Sequence, residues 1–356
     1  MPILIQEFGF SDRPMNAFLE VRNLSVGFPT DDGLVQATND VSFSVELGQT
    51  LAIVGESGSG KSVSNLAIMG LHNPKSTNIS GQAIFNLETG PIDVLAAPEE
   101  TVRKMRGKTM SMIFQDPMSS LHPFYSIGNQ ISEAWLLYND AGKKEAKARA
   151  IEMLDLVGIP GASRRVDDFP HQFSGGMRQR AMIAMALINN PKLLIADEPT
   201  TALDVTVQAQ IMELIKNMQK EFNMAVILIT HDLGIVAEVA DDINVMYAGR
   251  LVEAGGVDDV FYNSDHPYTR GLLASIPRVD SFHGGRLSTI PGQPPSLIHL
   301  PSGCSFSPRC AFADHVAGNK CQTTMPELTA KAPKHLARCH LSASEIESAV
   351  KKGVGA

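Results

Sequence analysis

The sequence of 356 residues lacks any apolar run long enough to cross a bilayer. Its longest apolar stretches, 181–188 and 225–229, fall well short of the roughly 20 residues that a membrane-spanning helix needs. No basic segment followed by an apolar one begins at Met1, as a secretion signal would require. We therefore expect a chain that neither spans a membrane nor is exported.

Positive charge is also scarce, because 30 Lys and Arg face 38 Asp and Glu, for a net charge of −8. Proteins that bind nucleic acid normally carry a basic surface that matches the phosphates. The composition therefore argues against a nucleic-acid partner. The hydrophobic fraction of 44% indicates a globular protein with a substantial core.

Cysteine is missing from the first 303 residues, and the four that exist follow in the C-terminal part: Cys304, Cys310, Cys321 and Cys339. Disulfides are disfavoured in a reducing compartment, so metal ligation is the leading explanation for this grouping. The spacing C-x5-C-x10-C-x17-C matches neither paired zinc motifs nor short ferredoxin motifs. Zinc, an iron–sulfur cluster and unligated thiols remain open on spacing alone.

Among the features that are present, the first is a glycine-rich loop. Residues 50–54 read as a buried strand and run into 55–62, a complete G-x-x-x-x-G-K-S sequence. Glycines allow a backbone to wrap closely around phosphate oxygens, while Lys61 would reach the β- and γ-phosphates and the Ser62 hydroxyl would bind magnesium. An apolar helical segment, 63–71, follows the loop. This context favours a phosphate-binding P-loop over a chance match in a surface loop.

Other apolar runs end on polar residues, as buried strands do when they deliver side chains to their carboxyl ends. These runs are 110–114 before Gln115, 193–196 before Asp197 and Glu198, and 225–230 before His231. In a parallel α/β sheet, ligands bind beyond the carboxyl ends of the strands. We therefore expect these polar side chains to meet Lys61 at one crevice, with the two acids providing a magnesium and water site.

A second anion site is predicted at Ser174-Gly175-Gly176, a glycine turn that leads into an apolar segment. Backbone N–H groups at such a helix N-terminus attract phosphate. Each of these nucleotide motifs occurs once, so the chain is not a tandem duplication. A site that needs two copies must therefore take the second from another chain.

The pattern along the chain predicts an N-terminal extension over 1–17 and an ATPase domain over 18–262. Residues 131–138 and 143–157 read as helices within a helical subdomain of about 116–185. Proline and glycine become frequent after about Tyr262, which predicts a separate, loop-rich C-terminal domain over 263–356.

Together these motifs resemble the ATP-binding subunits of ABC transporters, within them the oligopeptide and dipeptide importer branch, over about 18–340. The general features are the P-loop, Gln115 as the Q-loop glutamine, the signature 174–176, Asp197 with Glu198 as Walker B, the D-loop 202–204 and His231 as the switch histidine. The branch features are 113–121, 266–268 with 272–273, and the cysteine segment 301–310. The resemblance implies an α/β fold: a P-loop ABC nucleotide-binding domain with a mostly parallel core sheet, a helical subdomain, an antiparallel β subdomain and the cysteine domain.

The resemblance also assigns roles around ATP and Mg²⁺. It implies that Glu198 is the general base, that His231 braces the γ-phosphate and that Asp204 belongs to the D-loop. The ATP-binding set is Phe28, Gly55, Ser57, Gly58, Ser59, Gly60, Lys61, Ser62, Val63, Gln115 and Asp197, of which Ser62, Gln115 and Asp197 would bind Mg²⁺. Ser174, Gly175 and Gly176 would bind the ATP of a partner ATPase in a head-to-tail dimer.

The partners implied by the resemblance are a second, non-identical ABC ATPase, two transmembrane permeases and an extracytoplasmic solute-binding protein, with the chain peripheral on the cytoplasmic face of the inner membrane. For the four cysteines it favours a [4Fe-4S] cluster, with Zn²⁺ as the alternative. Substrates other than peptides, such as nickel, glutathione or another small solute, stay open. A soluble ABC ATPase that acts on nucleic acid is the competing function class.

The sequence departs from the family pattern at several positions. Met177 stands where the signature usually has glutamine, although Ser174 and both glycines are kept. Phe28 occupies the position of an adenine-stacking aromatic, but a phenylalanine on a strand is as often a core residue. The interval 314–320 before Cys321 is longer than expected for this branch.

Overall fold

The computed structural model describes residues 17–116, 120–201, 203–276 and 289–351. The predicted extension before residue 17, residues 117–119 of the branch motif, Ala202 of the D-loop and the last five residues lie outside the described part. Within the described part, no helix is long and apolar enough to cross a membrane.

The described residues form two β-sheets from twelve strands. The twelve strands are β1 Leu19–Thr30, β2 Gly33–Val45, β3 Thr50–Val54, β4 Asn78–Leu87, β5 Gly90–Asp93, β6 Met110–Ile113, β7 Leu193–Asp197, β8 Ala225–Ile229, β9 Asp242–Tyr247, β10 Arg250–Gly256, β11 Thr329–Ala332 and β12 His335–Ala337. The smaller sheet has the order β2-β1-β4-β5 and is antiparallel throughout. The larger sheet has the order β11-β12-β10-β9-β3-β8-β7-β6.

Five neighbouring strands of the larger sheet, from β9 across β3, β8 and β7 to β6, are parallel, while β10, β12 and β11 add an antiparallel edge. The carboxyl ends of the parallel strands therefore share one edge of the sheet. The predicted fold class, with a mostly parallel core sheet and an antiparallel β subdomain, is confirmed.

The helices surround these sheets. They are α1 Lys61–Ile68, α2 Glu99–Met105, α3 Ile127–Leu136, α4 Lys143–Leu156, α5 Ala162–Arg165, α6 Gly175–Leu187, α7 Val205–Phe222, α8 Leu233–Val239, α9 Val257–Asn263, α10 Pro267–Ala274, α11 Lys320–Thr323 and α12 Ala343–Lys351. In α4, the residues Ala146, Ala150, Met153 and Leu154 are buried at helical spacing, and the last three face the core.

Alternate residues of the central strands enter two different hydrophobic cores. In β7, Leu194 packs with the helices α3–α7, whereas Leu193 and Ile195 pack with the smaller sheet. A strand covered on both faces needs apolar residues at every position, which is why the sequence shows a continuous apolar run there. The layers on both sides hold the ends of β3, β6, β7 and β8 in fixed positions.

The C-terminal segment is joined to the larger sheet by the hairpin β11–β12, since β12 pairs with β10. The sequence analysis predicted only a loop-rich region there. Short 3-10 turns lie at Ser307–Arg309, Ala313–His315 and Ala317–Asn319 in the remainder. The segment thus combines irregular chain with a sheet edge that belongs to the main core.

Candidate active site

The P-loop connects β3 directly to α1. Gly55 and Gly60 have positive φ angles of 150° and 99°, which side chains other than glycine rarely adopt. A Cβ atom on Gly55 would collide with the carbonyl oxygen of Met246, and one on Gly60 with that of Ala37. The loop is therefore packed tightly against β9 and β2, and its backbone path is fixed.

Lys61 is the first residue of α1 and is buried. Its ammonium group donates hydrogen bonds to the carbonyl oxygens of Gly55 at 2.8 Å and Glu56 at 3.1 Å, across the mouth of the loop. Burial lowers the pKa of Lys61, and the negative charges of Glu198 and Asp197 oppose that effect. The lysine thus lies between the P-loop and the acids at the end of β7.

Asp197 is the last residue of β7, and its side chain is buried. It accepts a hydrogen bond from Ser62, while its Oδ1 atom is buried without a hydrogen-bond partner. Burial raises the pKa of Asp197, and the Ser62 hydrogen bond opposes that effect. A hydroxyl beside a carboxylate oxygen with no partner is a donor set that suits Mg²⁺, so these residues fit the predicted metal.

Glu198 has a left-handed backbone, with φ of 47°, and its N–H donates to the carbonyl oxygen of Ile229 at 2.9 Å. This conformation, uncommon outside glycine, turns the side chain away from the strand direction. Its Oε2 atom accepts hydrogen bonds from Nε2 of Gln115 at 2.9 Å and from Oγ1 of Thr201 at 2.8 Å. Nδ1 of His231 lies 3.4 Å from Oε1.

The electrostatics of Glu198 favour its charged form. Partial burial raises its pKa, but the hydrogen bond from Thr201 and the interactions with His231 and Lys61 outweigh burial, so the net pKa is lowered. A carboxylate that stays ionised can accept a proton from a nearby water molecule. His231 itself is 68% exposed at its side chain and is open to a ligand.

The structure brings Gln115 and His231 together at Glu198, as the strand-end pattern predicts, and places Lys61 close enough to lower the pKa of Glu198. Thr201 was missed in the sequence analysis. The available signal was a hydroxyl residue three positions after the acid pair, where a turn can return it to the carboxylate.

The signature segment begins α6. Ser174 is the N-cap and accepts a hydrogen bond from the N–H of Met177 at 3.4 Å. Gly176 packs against Val207, since a Cβ there would lie 3.0 Å from Cγ1 of that valine. Asp204 caps α7 and accepts from the N–H of the same Val207 at 3.0 Å. The signature and the D-loop therefore contact a common residue and form one surface.

Met177, the departure from the family signature, is half-buried and packs against the core that contains α6. Its side chain therefore serves packing, while the hydroxyl of Ser174 and the backbone of Gly175 stay exposed. The substitution leaves these exposed polar groups in place.

Phe28 is half-buried on β1 and packs against the core of the smaller sheet. Its ring meets that of His72 edge to face, with centroids 5.5 Å apart. His72 in turn shares a hydrogen bond of 2.8 Å with the carbonyl oxygen of Val63 in the first turn of α1. This chain of contacts connects Phe28 to the P-loop helix through a histidine that the sequence analysis did not identify.

The four cysteines are free thiols that occupy one region of the C-terminal segment. The N–H of Cys304 donates to the carbonyl oxygen of Cys321 at 2.9 Å, and Cys310 packs against the same hydrophobic cluster as Cys339. Burial raises the pKa of Cys310 to about 12 and those of Cys321 and Cys339 to about 11. Negative charge on the other three cysteines further raises the pKa of Cys310, so the thiols lie within electrostatic reach of one another.

Within the described residues, however, no three or more His, Cys, Asp or Glu side chains are arranged so that they could hold a metal ion. The cysteines thus share a neighbourhood and a suitable chemistry without the geometry of a closed site.

Two family models match the chain. The ABC transporter model matches residues 38–201, and the model of the C-terminal region of oligopeptide/dipeptide transporters matches 252–316. The chain is 51% identical to the oligopeptide transport ATP-binding protein OppD of Haemophilus influenzae, over 93% of this chain and 99% of that protein. It is 48% identical to the dipeptide transport ATP-binding protein DppD of Bacillus subtilis, over 95% and 99% of the two chains.

Solved structures give the same picture for the ATPase part. A dimeric ATP-binding cassette in a post-hydrolysis state, bound to ADP and phosphate, is 25% identical, with a TM-score of 0.59 over 67% of this chain and 98% of that one. A component of an ABC transporter complex from Clostridium perfringens is 30% identical, with a TM-score of 0.58 over 70% and 92%.

Proposed function

Since the chain belongs to the ATP-binding subunits of oligopeptide and dipeptide ABC transporters, we propose that it drives peptide import with an ATPase site built around Lys61 and Glu198. The observation that carries the proposal is the hydrogen-bonded group at Glu198, where Gln115 and Thr201 donate to one carboxylate beside His231. These side chains come from separate strand ends of one sheet edge.

In the proposed mechanism, Lys61 exchanges its carbonyl partners for the β- and γ-phosphate oxygens of ATP. Ser62, Asp197 and the amide oxygen of Gln115 would hold Mg²⁺, which would neutralise part of the phosphate charge when bound. Glu198 takes a proton from the attacking water, and His231 braces the γ-phosphate. Positioning and electrostatics supply most of the rate enhancement in such a reaction.

The signature residues Ser174, Gly175 and Gly176 bind, in this proposal, the ATP held by the P-loop of a second ATPase. One support is that Ser174 contacts Met177 of α6 and Gly176 contacts Val207 of α7. The other is that the solved ATP-binding cassette is dimeric. Asp204 belongs to the same surface and faces the partner. The second ATPase is proposed to be a related, non-identical chain.

The remaining partners are two membrane permeases and an extracytoplasmic binding protein, with this chain on the cytoplasmic face of the inner membrane. The names of the relatives, which are transport ATP-binding proteins, support this assembly. Phe124 and Tyr125, between Gln115 and α3, are 82% and 57% exposed and offer an apolar surface for a permease helix. From this position, Phe124 and Tyr125 would transmit movements of Gln115 to the permeases.

Phe28 is proposed to contact adenine, since its ring connects through His72 to Val63 beside the P-loop. The domain limits stay as proposed from the sequence, with the ATPase domain over 18–262 and its helical subdomain over about 116–185. The family model of the C-terminal region begins at residue 252, before the proposed boundary at 262.

For the C-terminal segment we propose a [4Fe-4S] cluster bound by Cys304, Cys310, Cys321 and Cys339, with Zn²⁺ as the alternative. The supporting observation is the shared neighbourhood of four buried or half-buried thiols. The ligand would stabilise a segment rich in irregular chain. Anaerobic purification followed by iron, sulfide and zinc analysis tests it, and the absence of all three overturns it.

The function is tested by co-expressing the chain with its permeases and measuring peptide-dependent ATP hydrolysis in the reconstituted transporter. We expect peptide and binding protein to stimulate hydrolysis, and the binding protein to carry peptide when its ligand is identified by mass spectrometry. Nickel or glutathione in the binding protein would change the substrate. Hydrolysis stimulated by DNA or RNA, without permease association, would overturn the transport function.

A further inference from the structure

The second residue of the P-loop, Glu56, is held by two residues of the C-terminal segment. The guanidinium of Arg309 forms a bidentate pair with its carboxylate, with Nη1 2.7 Å from Oε2 and Nη2 3.0 Å from Oε1. The backbone N–H of Glu56 donates to the hydroxyl of Tyr268 at 2.9 Å. The nucleotide loop is thus tied to a part of the chain that lies outside the predicted ATPase domain.

Arg309 is fixed in place by a complete set of hydrogen bonds. Besides its bonds to Glu56, it donates through Nε to the carbonyl oxygen of Pro291 at 2.8 Å, through Nη1 to the hydroxyl of Tyr247 at 3.3 Å, and through Nη2 to the carbonyl oxygen of Ile290 at 3.4 Å. A guanidinium has five N–H donors, and each has a partner here. The side chain of Arg309 is 5% exposed and that of Glu56 is 27% exposed, so the pair is largely removed from solvent.

The same glutamate contacts the lysine that is proposed to bind ATP. The carbonyl oxygen of Glu56 accepts a hydrogen bond from Nζ of Lys61 at 3.1 Å. A change in the position of Glu56 would therefore move the P-loop backbone and one of the two carbonyl groups that hold the ammonium before ATP binds. Displacements of about 1 Å at such groups reduce catalysis strongly.

Arg309 also connects this contact to the cysteines. It ends the 3-10 turn Ser307–Arg309, and Cys310 follows directly, with its N–H donating to the carbonyl oxygen of Ser307 at 3.3 Å. The ring of Phe306, just before the turn, packs against Tyr247 and Tyr268. The turn that carries one cysteine thus also carries the arginine that holds the P-loop.

We propose that Arg309 is a positioning residue for ATP, which acts through Glu56 and makes the affinity for MgATP depend on the C-terminal segment. The inference rests on the proposed role of Lys61 in binding ATP. The C-terminal segment thus takes part in nucleotide binding, in addition to any metal or cluster that its cysteines bind.

The test measures equilibrium binding of MgATP and the KM and kcat of hydrolysis, with the full chain in its transporter. Arg309→Lys keeps the charge but loses the bidentate geometry, and Arg309→Ala loses both. We expect the Kd and KM for MgATP to rise about three- to tenfold, in the lower part of the range of coupling between contacting groups, with kcat changed less. Arg338→Lys is the matched control, because Arg338 is buried, precedes Cys339 and donates to the carbonyl oxygens of Leu251 and Pro326.

A double-mutant cycle with Glu56→Ala decides whether the effect passes through that residue. We expect the double variant to bind MgATP no more weakly than the weaker single variant. Fully additive losses overturn the proposal, as do Arg309 variants that lower the unfolding temperature while binding MgATP like the wild type. Equal losses in Arg338→Lys overturn it too, because the effect would then be general to the segment. A wild-type chain that fails to bind MgATP would contradict the proposed function instead.

Discussion

Nε2 of Gln115 donates a hydrogen bond of 2.9 Å to Oε2 of Glu198, across 83 positions of sequence. The contact joins the end of β6 to the end of β7, so the Q-loop glutamine donates directly to the proposed general base. The bond uses the amide nitrogen of Gln115, which leaves the amide oxygen for the proposed Mg²⁺. The contact ties the start of the predicted helical subdomain to the proposed general base.

Replacing Glu198 by glutamine should stop hydrolysis without stopping binding. The side chain keeps its size and its hydrogen bonds but loses its ability to accept a proton, so we expect kcat to fall about 10²- to 10⁴-fold. ATP affinity should stay within about threefold of the wild type, since binding rests mainly on Lys61 and its loop. Thr201→Ala, which removes one donor to the same carboxylate, is the control and should lower kcat by no more than about tenfold. Hydrolysis by Glu198→Gln at the wild-type rate would exclude Glu198 as the base.

The signature and the P-loop of this chain should serve different nucleotides. Vanadate trapping of a photoreactive ATP analogue in the complete transporter, followed by separation of the two ATPase chains, measures which P-loop retains label. Lys61→Ala should reduce the label on this chain at least about tenfold, because hydrogen bonds to charged groups contribute about 1.5–3 kcal/mol. Ser174→Arg should reduce the label on the partner ATPase instead. Loss of label on the same chain in both variants would contradict the head-to-tail arrangement.

How much could be predicted from the sequence depended on what each residue packs against. β3 was predicted with the bounds that the structure has, and β7 and β8 each to within one residue, because strands buried on both faces leave continuous apolar runs. Their shared edge followed from the rule for parallel sheets, which is why Gln115 and His231 were expected near the acids.

Contacts across irregular chain could not be predicted in this way. Arg309 and Glu56 are 253 positions apart, and neither lies in a periodic segment. The hairpin β11–β12 is short, and its pairing with β10 brings Glu253 into buried contact with His335, which no local pattern reveals. Thr201 acts through a turn whose geometry is set by the left-handed backbone of Glu198.

The P-loop glycines should differ in their tolerance of a methyl group. Gly58 and Gly60 both have positive φ, so alanine at either position brings strain of about 1–2 kcal/mol. At Gly60 the Cβ also meets the carbonyl oxygen of Ala37, whereas at Gly58 no atom lies within 4 Å. Overpacking should therefore lower the free energy of unfolding of Gly60→Ala by about a further 1–3 kcal/mol. Denaturant unfolding without nucleotide measures both variants, and equal losses would show that the loop can shift away from β2.

The buried pair between His335 and Glu253 should make stability depend on pH. Nε2 of His335 lies 2.8 Å from Oε1 of Glu253, and its Nδ1 lies 3.8 Å from Asp265, with all three side chains almost fully buried. The hydrogen bond to Glu253 raises the pKa of His335, although burial opposes the rise. The stabilisation is therefore fully present below the unfolded-state pKa of about 6.5, and it is lost as the pH rises through the folded-state pKa.

The prediction is tested by measuring the free energy of unfolding of His335→Gln and of the wild type between about pH 5.5 and 9, in steps of about half a pH unit. At the acid end the variant should be less stable than the wild type by about 3–5 kcal/mol, because it leaves the carboxylate of Glu253 without its charged partner. The difference should shrink as the pH rises. His340→Gln is the control, since His340 lies in the same segment but shares its hydrogen bond with the carbonyl oxygen of Thr324 near the surface. A difference for His335→Gln that grows with pH would mean that the imidazole is neutral in the folded protein and that the pair is an uncharged hydrogen bond.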